Sequence, residues 1–113
     1  MNIIVGHTNM DLDCIGSMVL ARSLFHGHQP VRSHLIHPSA RNMYTLFENH
    51  LGFLPCRELR GEWVEHMVVV DTRSSDRIRE VLQLLPRLPE RIEVFDHHPG
   101  DRPDIPGAVL HQA

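Results

Sequence analysis

Three short, largely apolar runs rich in β-branched side chains divide the chain. They are Ile3–Val5, Met67–Val70 and Ile92–Phe95. Runs without a strict alternation of polar and apolar positions are typical of strands buried on both faces, as in a parallel sheet. Val31–Ile36 is a weaker strand candidate because it mixes polar and apolar positions, and Val109-Leu110 reads as the beginning of a further strand.

Helical periodicity lies between these runs. Positions 15–25 are largely apolar, which predicts a mostly buried helix, and positions 43–51 show the spacing of an amphipathic helix that ends before Gly52. Positions 78–85 repeat that spacing and stop at Pro86. Strands that alternate with helices predict an α/β fold with a parallel sheet and helices on both faces.

The composition limits the class of protein. The chain has 113 residues, which is one domain or part of one, and its net charge of -3 disfavours a non-specific nucleic-acid binder. Cys14 and Cys56 form neither a disulfide framework nor a zinc spacing. Without a signal peptide or an apolar run of about 20 residues, we expect a cytoplasmic protein with no membrane partner. The unusual feature is the 10 histidines.

Acidic residues and histidines follow all three apolar runs. Ligands of open parallel sheets bind at the carboxyl ends of the strands, so we expect these side chains to converge. The first run leads into a loop with one histidine and two aspartates, the second ends at one aspartate, and the third ends at Asp-His-His. The candidate site residues are His7, Asp11, Asp13, Asp71, Asp96, His97 and His98.

Such a cluster predicts a metal centre. Carboxylates brought together repel one another unless a cation neutralises them. Oxygen and nitrogen ligands without thiolate suit Mn²⁺ or a similar ion, and Zn²⁺ is also compatible. The number of carboxylates favours two ions with Asp71 between them, and two ions about 3.5–4 Å apart can activate water and stabilise the oxygens of phosphate hydrolysis.

Each signal also has a purely structural explanation. Asp13 could be a helix N-cap, Asp71 a turn residue, and residues 96–98 a solvated loop. The joint pattern, with every signal at the end of an apolar run, favours the site. The remaining residues fit ordinary roles better: Cys14 as a small buried residue, most other histidines as surface or packing residues, and Arg73, Arg77 and Arg79 as a solvated helix face rather than phosphate ligands.

The motifs resemble those of the DHH phosphoesterase superfamily. The first motif, His-x-x-x-Asp-x-Asp-x-x-Gly-Ser, begins at His7 and ends at Gly16-Ser17; the second is the aspartate after Val68-Val69-Val70; the third is Asp-His-His. Met10 and Cys14 depart from the common pattern without removing a ligand. The resemblance implies that His7 and Asp11 hold one metal, that Asp13 and His97 hold a second, that Asp71 bridges both, that His98 faces the substrate phosphate, and that Asp96 supports the site.

The resemblance covers only part of a family domain. A fourth motif with a further aspartate, and a second smaller lobe, are not found in this sequence. We therefore interpret residues 1–113 as the N-terminal portion of a DHH domain, an incomplete Rossmann-like lobe. The first motif and its flanks are also similar to DHH domains fused to regulatory and nucleotidyltransferase domains in bacterial poly(A)-polymerase-like proteins.

Two functions are compatible with this sequence. The first is a phosphoesterase dependent on Mn²⁺, with Mg²⁺ or Co²⁺ as alternatives. Its substrate would be polyphosphate, pyrophosphate, or a short or cyclic nucleotide, and the fragment alone would be weakly active or inactive. The second is a non-catalytic module that senses a metal or nucleotide. The expected partners are a phosphate-containing small molecule or short oligonucleotide and the remaining domains of a larger parent chain.

Overall fold

A computed structural model describes residues 1–72, 75–96, 105 and 107–112. Within these residues strands and helices alternate along the chain. The strands are β1 (Asn2–Val5), β2 (Gln29–Arg32), β3 (Leu54–Pro55), β4 (His66–Val70), β5 (Arg91–Asp96) and β6 (Ala108–Gln112). The α-helices are α1 (Leu12–Leu24), α2 (Pro38–Leu51) and α3 (Arg79–Leu84), and two short 3-10 helices span Cys56–Leu59 and Ser75–Ile78.

The strands form one parallel sheet in the order β3-β2-β1-β4-β5-β6. The three strands predicted from apolar runs are therefore confirmed, and they lie side by side in the centre of this sheet. The chain moves from β1 to β2 and β3 in one direction and then returns to β4 on the other side of β1. Such a reversal leaves a crevice at the carboxyl ends of the two central strands, where ligands of open α/β sheets bind.

Alternate side chains of the central strands enter two separate cores. Ile3 and Val5 face one core and Ile4 faces the other. Helices α1 and α2 cover the Ile4 face through Met18 and Tyr44, among others. The first 3-10 helix and α3 cover the opposite face. The predicted α/β architecture with helices on both faces is confirmed.

Some predicted boundaries shift for local reasons. Helix α1 begins at Leu12 rather than near residue 15 because the Asp11 side chain caps it, accepting a hydrogen bond from the Cys14 amide at 2.9 Å. Helix α2 begins at Pro38, where a proline suits the first turn, and ends at Gly52 with a left-handed φ of 62°, as predicted.

The weaker strand candidate is only partly correct. Strand β2 covers Gln29–Arg32, whereas the sequence indicated residues 31–36. The chain turns at Ser33, whose hydroxyl accepts a hydrogen bond from the Leu35 amide at 3.1 Å, and Ile36 forms only an isolated bridge with Met10. No helix among the described residues is both long and apolar enough to cross a membrane.

Candidate metal centre

His7 lies at the carboxyl end of β1 and is buried, with 3% of its surface exposed. Its Nε2 is 3.2 Å from Oδ2 of Asp71 and 3.7 Å from Oδ1 of Asp11. Asp71 directly follows β4, the strand beside β1, and Asp11 precedes α1. Two carboxylates from distant parts of the chain therefore meet one imidazole nitrogen. We call His7, Asp11 and Asp71 the carboxyl-end cluster.

The other ring nitrogen of His7 has two neighbours that exclude one another. Nδ1 is 2.8 Å from the carbonyl oxygen of Thr8, which requires a proton on Nδ1. It is also 3.1 Å from Nη2 of Arg77, which requires a lone pair there. In the first arrangement the Nε2 lone pair faces the two carboxylates. That is the tautomer of a metal-ligating histidine whose second nitrogen donates to a backbone carbonyl.

Asp71 is held in an uncommon backbone conformation. Its φ of 63° lies in the left-handed region, and Asn9, in the loop after β1, has a φ of 59°. Aspartate and asparagine tolerate this region better than most residues, at a cost of about 1–2 kcal/mol. The Asp71 amide donates to the carbonyl oxygen of Phe95 at 3.2 Å, which fixes the turn against β5. Strain that the surrounding structure sustains in this way concentrates at functional sites.

The loop that carries Asp11 is attached to the β2–α2 connection. The Met10 amide donates to the carbonyl oxygen of Leu35 at 3.2 Å, and the His37 amide donates to that of Met10 at 2.8 Å. The Asp11 side chain remains 45% exposed while one oxygen caps α1. Asp11 is thus fixed in place and still partly open to solvent.

Cys14 lies directly beneath this cluster. Its sulfur, one ring nitrogen of His7 and one oxygen of Asp71 all lie within 4.8 Å of one another. Burial raises the pKa of the Cys14 thiol to about 12, so it is neutral at physiological pH. The prediction of a small buried residue is confirmed, but the closeness of Cys14 to His7 was not predicted. The packing also explains the glycine before His7, because a Cβ on Gly6 would lie 2.1 Å from the Cys14 sulfur.

The remaining predicted site residues have different positions. Asp13 lies in the first turn of α1 with an exposed side chain. Like Asp11, it lies outside the tightest group of the described residues, which is His7, Cys14 and Asp71. Unlike Asp11, it has no described ion pair with His7. Asp96 is buried at the carboxyl end of β5, beside β4. His97 and His98 lie outside the described residues. Metal binding by Asp13 and His97, and the roles of Asp96 and His98, stay predictions.

The donor set of this centre fits a divalent metal. One imidazole nitrogen and two carboxylates lie close together, and a neutral thiol lies beneath them. Borderline and hard divalent ions such as Mn²⁺ prefer nitrogen and oxygen ligands of this kind, whereas a thiolate site would select softer metals. A cation would also remove the repulsion between the Asp11 and Asp71 carboxylates.

Comparisons with known proteins give a family and one relative. Residues 2–111 match the family described as the DHH family, N-terminal domain. The chain is 30% identical over 106 residues to a protein named A-adding tRNA nucleotidyltransferase from Geobacter sulfurreducens. That match covers 93% of this chain and 12% of the relative, so the chain spans about an eighth of the relative's length. No solved structure matches the chain.

Proposed function

Because this chain belongs to the DHH family, the phosphoesterase superfamily whose motifs it carries, we propose that it hydrolyses phosphate esters or anhydrides with a divalent metal. One observation supports this proposal above the others. His7, Asp11 and Asp71 come from two neighbouring strand ends and meet in the crevice where the strand order reverses. This is where an α/β sheet binds ligands and where a cluster of carboxylates needs a cation.

Each residue of the carboxyl-end cluster has a distinct part in the proposal. The Nε2 of His7 would bind the ion while Nδ1–H donates to the Thr8 carbonyl oxygen, which holds the ring in one orientation. Asp71 would supply the carboxylate shared with a second ion, and Asp11 the carboxylate nearest to solvent. When bound, a divalent ion supplies a Lewis acid for a phosphoryl oxygen and lowers the pKa of water.

The family resemblance extends the proposal beyond these three residues. Asp13 and His97 would hold the second ion, His98 would face the substrate phosphate, and Asp96 would support the site from the end of β5. Mn²⁺ is the ion that we propose, and polyphosphate, pyrophosphate and short or cyclic nucleotides are the substrate classes. We also propose a cytoplasmic protein in which further domains of a larger chain complete the site.

A hydrolysis panel tests this function. The chain, and a longer parent that contains it, are incubated with pyrophosphate, tripolyphosphate, a linear dinucleotide and a cyclic dinucleotide, each with and without Mn²⁺. We expect the parent to hydrolyse at least one substrate in a reaction that requires Mn²⁺ and is lost in His7→Ala and Asp71→Asn, and the chain alone to be weakly active or inactive. Glu93→Gln, on the same sheet but away from the crevice, is the matched control. A parent that binds no Mn²⁺, Co²⁺ or Mg²⁺ in calorimetry would contradict the proposal.

The relative favours a second candidate function. It is named as a nucleotidyltransferase, and this chain corresponds to only 12% of it. In such a setting the DHH portion could sense a metal or a nucleotide and regulate another domain without turnover. This function predicts that the parent binds Mn²⁺ and a nucleotide but hydrolyses no member of the panel.

A further inference from the structure

Arg77 reaches the carboxyl-end cluster from a third part of the chain. It belongs to the 3-10 helix Ser75–Ile78, which follows β4. Its carbonyl oxygen accepts a hydrogen bond from the Thr8 amide at 2.7 Å, which joins this helix to the loop after β1. Its guanidinium lies 3.1 Å from Nδ1 of His7, and the residue remains exposed. The sequence favoured a solvated helix face for this arginine, whereas its side chain borders the metal centre.

The contact between Arg77 and His7 cannot persist when His7 binds a metal through Nε2. A guanidinium only donates hydrogen bonds, so it needs a lone pair on Nδ1. A neutral histidine that coordinates through Nε2 carries its proton on Nδ1, where it donates to the Thr8 carbonyl oxygen at 2.8 Å. Metal binding therefore releases the Arg77 donors, while the backbone hydrogen bond from Thr8 keeps Arg77 beside the cluster.

The released guanidinium suits one class of ligand. Its planar set of donors matches the oxygens of a phosphate, often with two parallel hydrogen bonds. The carboxylates of Asp11 and Asp71 would repel such an anion until a cation neutralises them. With a metal held by the cluster, both conditions for phosphate binding at this place would be met: the carboxylates would be neutralised, and the Arg77 guanidinium would no longer contact Nδ1 of His7.

We propose that Arg77 binds a phosphoryl oxygen of the substrate and so positions it against the metal held by His7, Asp11 and Asp71. This inference rests on the proposed function, because the ligand is a phosphate group at the same site. Arg77 acts on the substrate anion rather than on the metal. Its loss should therefore weaken phosphate binding and leave the affinity for Mn²⁺ unchanged.

Two calorimetric titrations separate these effects. Mn²⁺ is titrated into the longer parent and its variants, and inorganic phosphate is then titrated into the Mn²⁺-saturated proteins. Arg77→Gln should raise the Kd for phosphate by about tenfold or more, the usual loss for a charge-assisted hydrogen bond. Arg77→Lys, which keeps the charge but not the planar donors, should lie between Arg77→Gln and the wild type. Arg79→Gln is the matched control, because Arg79 is two residues away and pairs with Asp76 on the exposed surface.

The outcomes distinguish the inference from the proposed function. The Kd for Mn²⁺ should be the same in Arg77→Gln and Arg79→Gln. If phosphate affinity is also the same in these two variants, or if Arg77→Gln weakens Mn²⁺ as much as phosphate, Arg77 only supports His7 and the inference is wrong. A wild-type parent that binds Mn²⁺ but no phosphate overturns the inference and leaves the proposed metal centre intact. Absence of Mn²⁺ binding in the parent overturns both.

Discussion

Two histidine–carboxylate clusters lie at opposite ends of the same sheet. The carboxyl-end cluster joins His7 to Asp11 and Asp71. The second cluster lies towards the amino ends of β4 and β5, and we call it the amino-end cluster. It consists of His28, His66, Arg91 and Glu93.

In the amino-end cluster, each hydrogen-bond donor faces an acceptor. His66 Nε2 is 3.0 Å from one oxygen of Glu93, and Arg91 donates to the other at 2.7 Å. With its Nε2 proton on Glu93, His66 presents a lone pair at Nδ1, and His28 Nε2 lies 2.7 Å from it. Each of these three contacts can therefore have one proton. A third donor, His111, lies 3.6 Å from the same carboxylate, so three positive or neutral donors surround it.

The carboxyl-end cluster has the opposite balance. Two carboxylates face one nitrogen of His7, and a carbonyl oxygen and a guanidinium compete for the other nitrogen. His7 and Asp71 are buried, and carboxylates brought together in this way are costly unless a cation neutralises them. Residue types alone therefore do not predict metal binding. The excess of acceptors over donors is the feature of the carboxyl-end cluster that favours a cation.

The largest expected effect is a difference in metal response between the two clusters. At a Mn²⁺ concentration of a hundred times the Kd, the wild-type chain should gain about 2.7 kcal/mol, or on the order of 10 °C in Tm. Asp71→Asn should lose most of this gain, because it removes the shared carboxylate with little change in shape. Glu93→Gln should keep it in full. Thermal unfolding with and without Mn²⁺ measures both, and an equal response in the two variants would contradict the assignment.

Without metal, the free energy of unfolding should rank the same two variants in the opposite order, with Glu93→Gln the less stable. Glu93→Gln leaves His66 and Arg91 without their charged acceptor, and we expect a loss of about 2–3 kcal/mol in the free energy of unfolding. Asp71→Asn relieves the repulsion with Asp11, so it should cost less or stabilise. Urea unfolding in the presence of a chelator gives both values. A larger loss for Asp71→Asn would show that the comparison of donor balance is wrong.

The sequence predicted the sheet better than it predicted the surroundings of the site. Apolar runs identify β1, β4 and β5 because a strand buried on both faces has few polar positions. The candidate site residues could then be found directly after each run. Strand β3 has two residues and no apolar run, so periodicity could not detect it. The contacts of Cys14 and Arg77 with His7 depend on how α1 and the turn after β4 pack, and no local pattern encodes that packing.

The packing beneath the carboxyl-end cluster should also limit substitution. A Cβ at Gly6 would lie 2.1 Å from the Cys14 sulfur and 3.2 Å from the sulfur of Met18. We expect Gly6→Ala to cost about 1–3 kcal/mol, as overpacking does. Cys14→Ala removes the nearer sulfur, so the double variant should be more stable than the sum of the single effects by about 1 kcal/mol. A double-mutant cycle in urea measures this coupling, and strict additivity would show that Gly6 is not constrained by Cys14.

The smallest expected effect is an acid dependence of stability from the amino-end cluster. Burial lowers the pKa of His28 below its usual 6.5, so the unfolded chain binds this proton more readily than the folded one. Stability should therefore fall as pH drops through 6.5 towards the lower folded value. His28→Gln should flatten that part of the profile without changing the response to Mn²⁺ at pH 7.5.

Glu93 should cause a second loss of stability at lower pH. Burial alone would raise the pKa of its carboxyl group, but the hydrogen bonds from Arg91 and His66 outweigh burial and hold the pKa below 4.5. The stability that Glu93 provides is present above pH 4.5 and is lost as the pH falls through the lower folded value. Urea unfolding of the wild type, His28→Gln and Glu93→Gln at pH 7.5, 5.5 and about 4 resolves the two phases. If His28→Gln retains the wild-type slope between pH 7.5 and 5.5, His28 does not couple protonation to folding. The amino-end cluster would then influence stability only through Glu93.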